Sequence, residues 1–332
     1  MKPEELLLKQ LMSIPSVSGN ETEIGEFIFT LLKKEGFNVT RQTVDKKRFN
    51  VIAKLGNPQI YLQAHMDTVP PFIPYSADET YIYGRGACDT KASIATMITA
   101  AIQCKQKGYS NFGLLFTTAE ETDFDGAKKV IENKLQVPFI IVGEPTSLDI
   151  VNGHFGLNIF NITAKGKSAH SSRPEQGINA IDILSQIIAE VKKIKVHPET
   201  LISLVQINGG VADNIIPEFA EATFSMRISP NDKQDYNSMV KKFLPKNSQI
   251  EVKQNIGSVY CDIPDELSFI QTRRSVKYFT ELSFFKKGVV IGPGDILYAH
   301  GANEKIIRSE LPKAVKIYSQ IIKNYCLDSK TK

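Results

Sequence analysis

The chain has 332 residues, enough for about two domains of ordinary size, and its 42% hydrophobic and 23% charged residues are typical of a globular protein. Its net charge of +4 is small for this length, and its basic residues lie in short scattered clusters, which argues against a nucleic-acid partner. The first residues are acidic where a signal peptide would be basic, no apolar run approaches the ~18 residues of a membrane span, and the four cysteines are widely spaced. We therefore expect a cytoplasmic protein without membrane contact.

The first 150 residues alternate between predicted helices and predicted strands. Apolar residues at helical spacing predict helices in PEELLLKQLMSIPS, ETEIGEFIFTLLKKEG, residues 90–107 and GAKKVIENKL. Short apolar runs predict strands in NVTRQ, NVIAKLG, QIYLQAHMD, YIYGRG, GLLFTTAEE and PFIIVGEPTS. This alternation predicts an α/β domain with a mostly parallel sheet flanked by helices.

The pattern changes near residue 155. About four strands and two helices follow, in GLNIFNITAKGKSAHS, INAIDILSQIIAEVKKI, LISLVQING, AEATFSMRIS, DYNSMVKKFL and QIEVKQNI. The first pattern then returns, with an apolar run in GVVIGPGD and a helix in ELPKAVKIYSQIIKNY. The sequence therefore predicts a discontinuous α/β domain (residues 1–155 and 263–332) interrupted by an α+β domain at 156–262.

Several candidate ligand residues follow predicted strands. They are His65, Asp67, Asp89, Glu120, Glu121, Glu144 and His300. Functional groups of open parallel sheets gather outside the carboxyl ends of the strands, so these segments could converge on one crevice. Imidazoles and carboxylates together suit zinc, cobalt or manganese, and Asp67 could orient the His65 imidazole from behind.

Glu120 and Glu121 stand side by side in TTAEETD. If they continue the strand, their side chains point to opposite faces, so one can bind metal while the other faces the attacking water as a general base. Their spacing leaves open which glutamate has which role. Each motif also has an ordinary interpretation: adjacent glutamates often form a solvated turn, Asp89 could cap a helix and Glu144 could be a loop residue.

The other histidines, and the partial matches to motifs of other protein classes, are weaker candidates for a functional site. His197 is expected to be solvated and His154 structural, and the polar loop around His170 leaves both readings open. GRGACD lacks the third glycine of a dinucleotide fingerprint, GKS at 166–168 lacks the leading glycine of a phosphate loop, and no GxSxG or HExxH occurs. Cys88 is expected to pack in an apolar turn rather than to act as a nucleophile.

The motifs AHMDTVP, GRGACDTK, AEETDFDGA, GEPTS and AHGANE resemble, in this order, those of the M20 family of metal-dependent amidohydrolases and exopeptidases. GKSAHSSRPEQGINAI, INGGVADNIIP and MRISP resemble the lid domain of the same family. The resemblance runs over essentially the whole chain. It implies a zinc-exopeptidase-like sheet with an inserted ferredoxin-like lid and dimerisation domain.

The resemblance also assigns roles to individual residues. Five positions match the ligands of two divalent metal ions, with zinc expected first and cobalt or manganese as alternatives: His65, Asp89 as the bridge, Glu121, Glu144 and His300. Asp67 matches the residue behind the first histidine, and Glu120 matches the general base. His170 matches a lid histidine that, in dimeric members, reaches the partner subunit's site, which implies a homodimer through the inserted domain. Asn214 and Arg227 match substrate contacts, and a guanidinium suits a carboxylate.

The segment around Thr280 and Glu281 resembles acetylornithine and acetylcitrulline deacetylases. It implies hydrolysis of an N-acyl amino acid, first of all N-acetylornithine in arginine biosynthesis, with Glu281 meeting the substrate amino group. Thr90-Lys91-Ala92 replaces the usual Met-Lys-Gly, and the chain is short for that branch. A succinyl-diaminopimelate desuccinylase, a lysine or ornithine carrier-protein hydrolase and a dipeptidase are therefore alternatives, and a non-catalytic binding protein on the same fold is a distant one.

Overall fold

The computed structural model describes residues 1–273 and 275–328, which divide into two compact units. The first unit comprises Met1–Gly153, Cys261–Ser275 and Thr280–Lys332, and the second comprises His154–Tyr260 and Val276–Phe279. In the described residues the helices are α1 (Pro3–Met12), α2 (Thr22–Lys34), α3 (Lys91–Gln106), α4 (Asp125–Glu132), α5 (Ala180–Lys193), α6 (Tyr236–Lys241) and α7 (Glu310–Asp328).

The strands of the described residues follow the same chain order. They are β1 (Asn38–Thr43), β2 (Phe49–Leu55), β3 (Ile60–His65), β4 (Ser76–Ala77), β5 (Tyr81–Tyr83), β6 (Phe112–Thr117), β7 (Ile140–Val142), β8 (Ile150–Val151), β9 (Gly153–His154), β10 (Gly156–Lys165), β11 (Ala169–His170), β12 (Leu201–Gly209), β13 (Ile215–Ile216), β14 (Phe219–Ile228), β15 (Ser248–Ile256), β16 (Val259–Tyr260), β17 (Thr272–Arg273), β18 (Gly288–Val290) and β19 (Lys305–Ile307).

An eight-stranded sheet in the order β1-β2-β6-β3-β7-β18-β8-β17 forms the centre of the first unit. The neighbours β6/β3, β3/β7, β7/β18 and β8/β17 are parallel, whereas β1/β2, β2/β6 and β18/β8 are antiparallel. The sheet is therefore mixed, with its parallel part in the middle, and the expectation of a mostly parallel sheet is corrected to that extent. Central strands of this kind are covered on both faces, which is why they read as continuous apolar runs.

Burial explains why these segments form the core. All six residues of β3 and all six of β6 are buried. Gly113 in β6 is needed there, because a Cβ atom at this position would lie 2.4 Å from the Tyr61 ring of β3. Helices α1, α3 and α7 pack against one another, and α3 packs on β3 and β6.

The second unit contains a four-stranded antiparallel sheet in the order β12-β14-β10-β15. Helix α5 packs on β10 and β14, and α6 packs on β15. Phe160 and Phe224 are paired across β10 and β14, and their rings stack with centroids 5.2 Å apart. These four strands and two helices match the predicted α+β insertion, whereas its role as a lid and dimerisation domain stays a prediction.

Residues Val276–Phe279 belong to the second unit, although they lie in the sequence assigned to the α/β domain. Within the described ranges, no helix combines the length and the hydropathy needed to cross a membrane.

Candidate metal centre

The strand order of the first unit brings the candidate ligands to one edge of the sheet. β3 lies between β6 and β7, and all three strands run in the same direction. His65 is the last residue of β3 and pairs with Thr117, the last residue of β6. Glu144 follows the end of β7 by two residues. The carboxyl ends of parallel strands share an edge, so these groups meet there as the sequence predicts.

Asp89 divides its two carboxylate oxygens between two imidazoles. Its Oδ1 lies 2.9 Å from His65 Nε2, and its Oδ2 lies 3.2 Å from His300 Nε2. Glu121 Oε1 lies 3.0 Å from the same His300 nitrogen, and Glu144 Oε1 lies 3.7 Å from His65 Nε2. Two donor sets result, each with one imidazole and two carboxylates, and Asp89 belongs to both.

The donor set fits divalent metal ions. Ligand atoms of His65, Asp89 and Glu121, which come from both donor sets, lie within 4.8 Å of one another, so the two sets adjoin. Glu144 Oε1 is fully buried yet makes no hydrogen bond to any described residue. A buried carboxylate oxygen without a donor is costly unless a cation satisfies it, so this atom is placed as a metal ligand would be. Mixed imidazole and carboxylate donors are those that zinc and its neighbours in the first transition row prefer.

The electrostatics of the cluster point the same way. Burial raises the pKa of Glu144 well above its usual value, and the carboxylates of Asp89 and Glu121 raise it further. Burial works against a charged imidazole, but the carboxylates of Glu144, Asp67 and Asp89 still raise the pKa of His65 well above its usual value. Hydrogen bonds to Asp89 and Glu121 raise the pKa of His300 to about 10. So many carboxylates in one buried place are stabilised by positive charge between them.

Asp67 contacts His65 in a different way from the one expected. The backbone carbonyl oxygen of Asp67 lies 2.9 Å from His65 Nδ1, whereas the carboxylate oxygen Oδ1 lies 3.6 Å from it. The carbonyl is therefore the acceptor for an Nδ1–H, which leaves Nε2 free to bind metal. The Asp67 carboxylate instead accepts hydrogen bonds from the backbone N–H groups of Glu120 (3.0 Å) and Glu121 (3.1 Å) and from the Ser18 hydroxyl (2.8 Å).

Glu120 and Glu121 lie in a turn and not in a strand. Strand β6 ends at Thr117, and Ala119 has a φ of +62°. The expectation that strand alternation separates the two side chains is therefore wrong in its premise. The two carboxylates nevertheless differ: Glu121 contacts His300, whereas the partly buried Glu120 carboxylate makes no hydrogen bond among the described residues. Burial and the nearby Glu144 carboxylate raise the pKa of Glu120 well above its usual value.

Three predicted site residues belong to the second unit. Strands β11 and β13 pair His170 with Ile215, and Ser171 N donates to Asn214 O at 2.9 Å, so His170 and Asn214 lie close together. The His170 side chain is exposed, and its Nδ1 lies 2.8 Å from Ser172 Oγ. Arg227 lies near the C-terminal end of β14. Its side chain is partly buried, and this burial lowers its pKa. Their contacts with a substrate stay predictions.

Glu281 is fully buried beneath the strand ends. It lies in a short 3-10 helix (Glu281–Phe284), and its Oε2 accepts hydrogen bonds from Thr117 Oγ1 at 2.7 Å and from Gln63 Nε2. Burial raises the pKa of this carboxyl to about 7. The contact with a substrate amino group stays a prediction, but this placement gives it no support.

Arg85 and Glu304, which had no predicted role, are also part of this region. Arg85 and Glu304 form a buried ion pair, with Nη1 and Oε2 separated by 2.6 Å. Cys88, next to Asp89, is buried, and burial raises the pKa of its thiol well above the usual value, in line with packing. His154 is buried as well, and burial lowers its pKa to about 4.

Comparisons with known proteins identify the family and the fold of this chain. A family model described as peptidase family M20/M25/M40 matches residues 61–324. A probable carboxypeptidase of Aspergillus clavatus is 33% identical over 95% of this chain and 86% of its own length. The crystal structure of aminopeptidase PepT from Bacillus cereus superposes with a TM-score of 0.83 at 22% identity, covering 97% of this chain and 98% of that one.

A second solved structure has the same fold. The Bacillus subtilis YXEP protein, described as a dinuclear metal-binding peptidase from the M20 family, superposes with a TM-score of 0.77 at 19% identity, covering 96% of both chains. The matches span nearly the whole chain, including the segments that carry all the candidate ligands. The chain belongs to peptidase family M20/M25/M40.

Proposed function

We propose that this chain is a metal-dependent exopeptidase that hydrolyses the amide bond of short peptides next to a free carboxylate. The observation that carries the proposal is the position of Asp89 between two imidazoles, each accompanied by one more carboxylate. The relative with 33% identity, named a probable carboxypeptidase, supports a peptide substrate. The description of the YXEP protein as dinuclear supports two ions in the corresponding fold.

The two donor sets would hold two divalent ions, with zinc expected first and cobalt or manganese as alternatives. His65, Asp89 and Glu144 would hold one ion, and Asp89, Glu121 and His300 the other. When bound, the ions supply Lewis acidity to the scissile carbonyl and to the attacking water.

Glu120 is the proposed general base. Its backbone is fixed by the Asp67 carboxylate, its own carboxylate is without a hydrogen-bond donor among the described residues, and the raised pKa suits a group that accepts a proton and gives it back. It would take a proton from the attacking water and deliver it to the leaving amine. Asp67 would keep the turn that carries Glu120 and Glu121 in place.

The second unit supplies the proposed substrate contacts. Arg227 has no acidic partner within salt-bridge distance in the described part of the chain, so its guanidinium can bind a substrate carboxylate. His170 would donate a hydrogen bond to the carbonyl oxygen as negative charge develops on it. Asn214 lies beside His170 and would contact the same substrate.

His170 and Arg227 of one chain are too far apart to hold the same small substrate. β13, which pairs with His170, ends three residues before β14 begins, and Arg227 is eight residues further along β14. At about 3.3 Å per residue, these eight residues span roughly 26 Å. This separation supports the proposed homodimer, in which one chain contributes Arg227 and its partner contributes His170 and Asn214.

A mixing experiment tests this division of labour. His170→Ala and Arg227→Met are each expected to lower kcat/KM strongly, because each removes one substrate contact from both sites of a dimer. Subunit exchange in an equal mixture should make half of the dimers mixed, and each mixed dimer has one intact site. We expect recovery of about one quarter of the wild-type activity, because a symmetric dimer places the same two patches at each site.

Two results would argue against shared sites. No recovery after verified subunit exchange would show that both residues act within one chain, and full monomers at assay concentration would exclude the shared site directly. Glu190→Gln, on the exposed face of α5, is the control variant and should behave like the wild type in the same mixtures.

The acetylornithine deacetylase assignment is the narrower alternative. It depends on the sequence around Thr280 and Glu281, and the buried Glu281 carboxylate does not favour a substrate ammonium group there. Peptides are therefore placed before N-acetylornithine, N-acetylcitrulline, N-succinyl-diaminopimelate and carrier-linked lysine or ornithine. The arginine-biosynthesis role stays attached to that alternative.

A substrate panel separates these possibilities. We expect the zinc-loaded chain to hydrolyse dipeptides and tripeptides with a free carboxylate more efficiently than any of the N-acyl amino acids, because relatives named as peptidases support that substrate class. Hydrolysis should stop with a chelator and return with added zinc or cobalt. A kcat/KM for N-acetylornithine above that for every peptide would reinstate the deacetylase, and no hydrolysis of any substrate by metal-loaded protein would favour a binding protein.

A further inference from the structure

A buried ion pair joins the chain segment before Asp89 to the segment after His300. Arg85 is 2% exposed and Glu304 is 1% exposed, and Arg85 Nη1 donates to Glu304 Oε2 at 2.6 Å. More than 200 residues separate the two along the chain. Burying both charges is unfavourable unless further hydrogen bonds satisfy their remaining atoms, so the other contacts of the pair show what it holds.

The second oxygen of Glu304 holds the backbone that leads into Asp89. Glu304 Oε1 accepts hydrogen bonds from the N–H groups of Gly86 (2.9 Å), Cys88 (3.0 Å) and Asp89 (3.1 Å). Gly86 lets the loop curl around the carboxylate, because its φ is +85° and a Cβ atom would lie 2.7 Å from the Lys91 side chain. Converging N–H groups of this kind form an anion-binding concavity, and the anion bound here is the Glu304 carboxylate of the same chain.

The remaining donors of Arg85 hold the backbone around His300. Arg85 Nη2 donates to His300 O at 3.5 Å, and Nη1 also approaches Gly301 O at 3.4 Å. Arg85 Nε donates to Pro71 O at 3.3 Å. His300 adopts a φ of +62°, a conformation that a residue other than glycine keeps only when its surroundings hold it.

We propose that Arg85 and Glu304 are positioning residues that set the separation between Asp89 and His300 and thereby secure the second metal ion. The inference rests on the proposed two-ion centre. Among the described residues, the pair forms no hydrogen bond or ion pair with a candidate ligand side chain, and its hydrogen bonds reach the backbones of Asp89 and His300. It therefore acts on the metal through the ligands that it holds.

Loss of the Arg85–Glu304 pair should affect the two donor sets unequally. His65 ends the buried strand β3 and is held by the Asp67 carbonyl, so the set of His65, Asp89 and Glu144 keeps most of its support without the pair. His300 lies in a loop, its side chain is 52% exposed, and Arg85 holds its backbone. The pair positions both Asp89 and His300 in the second set but only Asp89 in the first. Loss of the pair therefore weakens the second ion more than the first.

Titration of chelator-treated protein with zinc tests this inference in the Glu304→Gln variant. Glutamine keeps the size of the side chain but removes the charge that pairs with Arg85. We expect two binding events in the wild type. In the variant, the second event should weaken by roughly 10- to 100-fold, the range for outer groups that support metal ligands, while the first changes by less than a few-fold. Metal analysis after gel filtration should show about one ion per chain.

Two further variants make the result specific. Arg85→Lys keeps the positive charge beside Glu304 but loses the planar fork that reaches the carbonyl groups of Pro71, His300 and Gly301, so it should also weaken the second event. Glu5→Gln breaks the pair between Arg308 and Glu5, which are 2.7 Å apart, and should leave both events unchanged, because the other hydrogen bonds that Arg308 donates among the described residues end on the backbones of Asp78 and Thr80 and not on a candidate ligand.

The outcomes separate this inference from the proposed function. If the wild type binds fewer than two ions, the two-ion centre itself is wrong. If the wild type binds two and Glu304→Gln binds two with unchanged affinity, the positioning role is wrong. Equal weakening of both events would show a general structural role instead. Should Glu304→Gln not fold by circular dichroism, Arg85→Lys decides, and an unchanged second event in that variant overturns the inference.

Discussion

Glu120→Gln is expected to lower kcat by roughly 10²- to 10⁴-fold, the usual contribution of a general base, while KM changes little. The substitution keeps the size of the side chain and the backbone N–H that donates to Asp67, but it replaces the basic carboxylate by an amide that does not take up the proton. The bound zinc should stay at the wild-type level, because Glu120 is not among the carboxylates within salt-bridge distance of His65 or His300 in the part of the chain that the structure describes. Steady-state kinetics together with metal analysis of the same preparation measure both effects.

Two variants show whether the loss belongs to Glu120 itself. Glu132→Gln, an exposed position on α4, should leave both kcat and metal content unchanged. Glu121→Gln should reduce metal content, because Glu121 Oε1 lies 3.0 Å from His300 Nε2. Near-normal turnover of Glu120→Gln, or loss of metal from it rather than from Glu121→Gln, would reverse the roles of the two glutamates.

The convergence of the strand-end residues was predictable from the sequence. β3, β6 and β7 are buried apolar runs, and each ends close to a candidate ligand, so a parallel arrangement brings these ligands together without any further information. The position of the Asp89 carboxylate between His65 and His300 does not follow from this rule alone. Asp89 precedes α3, with Thr90 as the N-cap residue, and the sequence alone is equally compatible with a simple helix cap.

The surroundings of three glutamates depend on tertiary contacts that the sequence does not display. Glu120 and Glu121 lie in a turn that Ala119 and the Asp67 carboxylate shape, and not in a strand, and their carboxylates differ in their contacts. Glu281 follows a polar segment and resembles a substrate contact, yet it lies beneath β3 and β6 with Gln63 and Thr117. Burial of a single carboxylate is decided by which distant donors reach it, and periodicity carries no such information.

The contacts of Glu304 were also not predictable from the sequence. In AHGANE it looks like an ordinary loop residue, yet its carboxylate accepts three backbone hydrogen bonds and one from Arg85. The only local signal was the presence of Arg85 and Gly86 in GRGACD, a segment in which a glycine allows close approach to an anion. The sequence does not show that this loop holds the carboxylate of residue 304, because the two lie more than 200 residues apart in the chain.

Asp89→Asn should remove both metal ions and reduce hydrolysis to the level of chelator-treated protein. An amide has one oxygen that can bind a cation, and its NH₂ group turns a donor toward the other donor set. Because Asp89 Oδ1 faces His65 and Oδ2 faces His300, either orientation of the amide turns an NH₂ group toward one imidazole and leaves the other set a neutral oxygen in place of a carboxylate, so both sets are weakened. We expect the affinity for zinc to fall by more than the roughly 100-fold that marks the upper range for supporting groups. Zinc titration and metal analysis measure the loss.

Comparison with single-set variants tests whether Asp89 belongs to both sets. Glu144→Gln removes a ligand only from the set around His65, and Glu121→Gln removes one only from the set around His300, so each should retain about one ion per chain. Asp235→Asn, at the N-cap of α6 in the second unit, should retain two. If Asp89→Asn retained one tightly bound ion, as the two glutamine variants should, Asp89 would serve a single ion and the two donor sets would be independent. Loss of both ions from this variant alone is the result that a shared carboxylate requires, since no other candidate ligand contacts both imidazoles among the described residues.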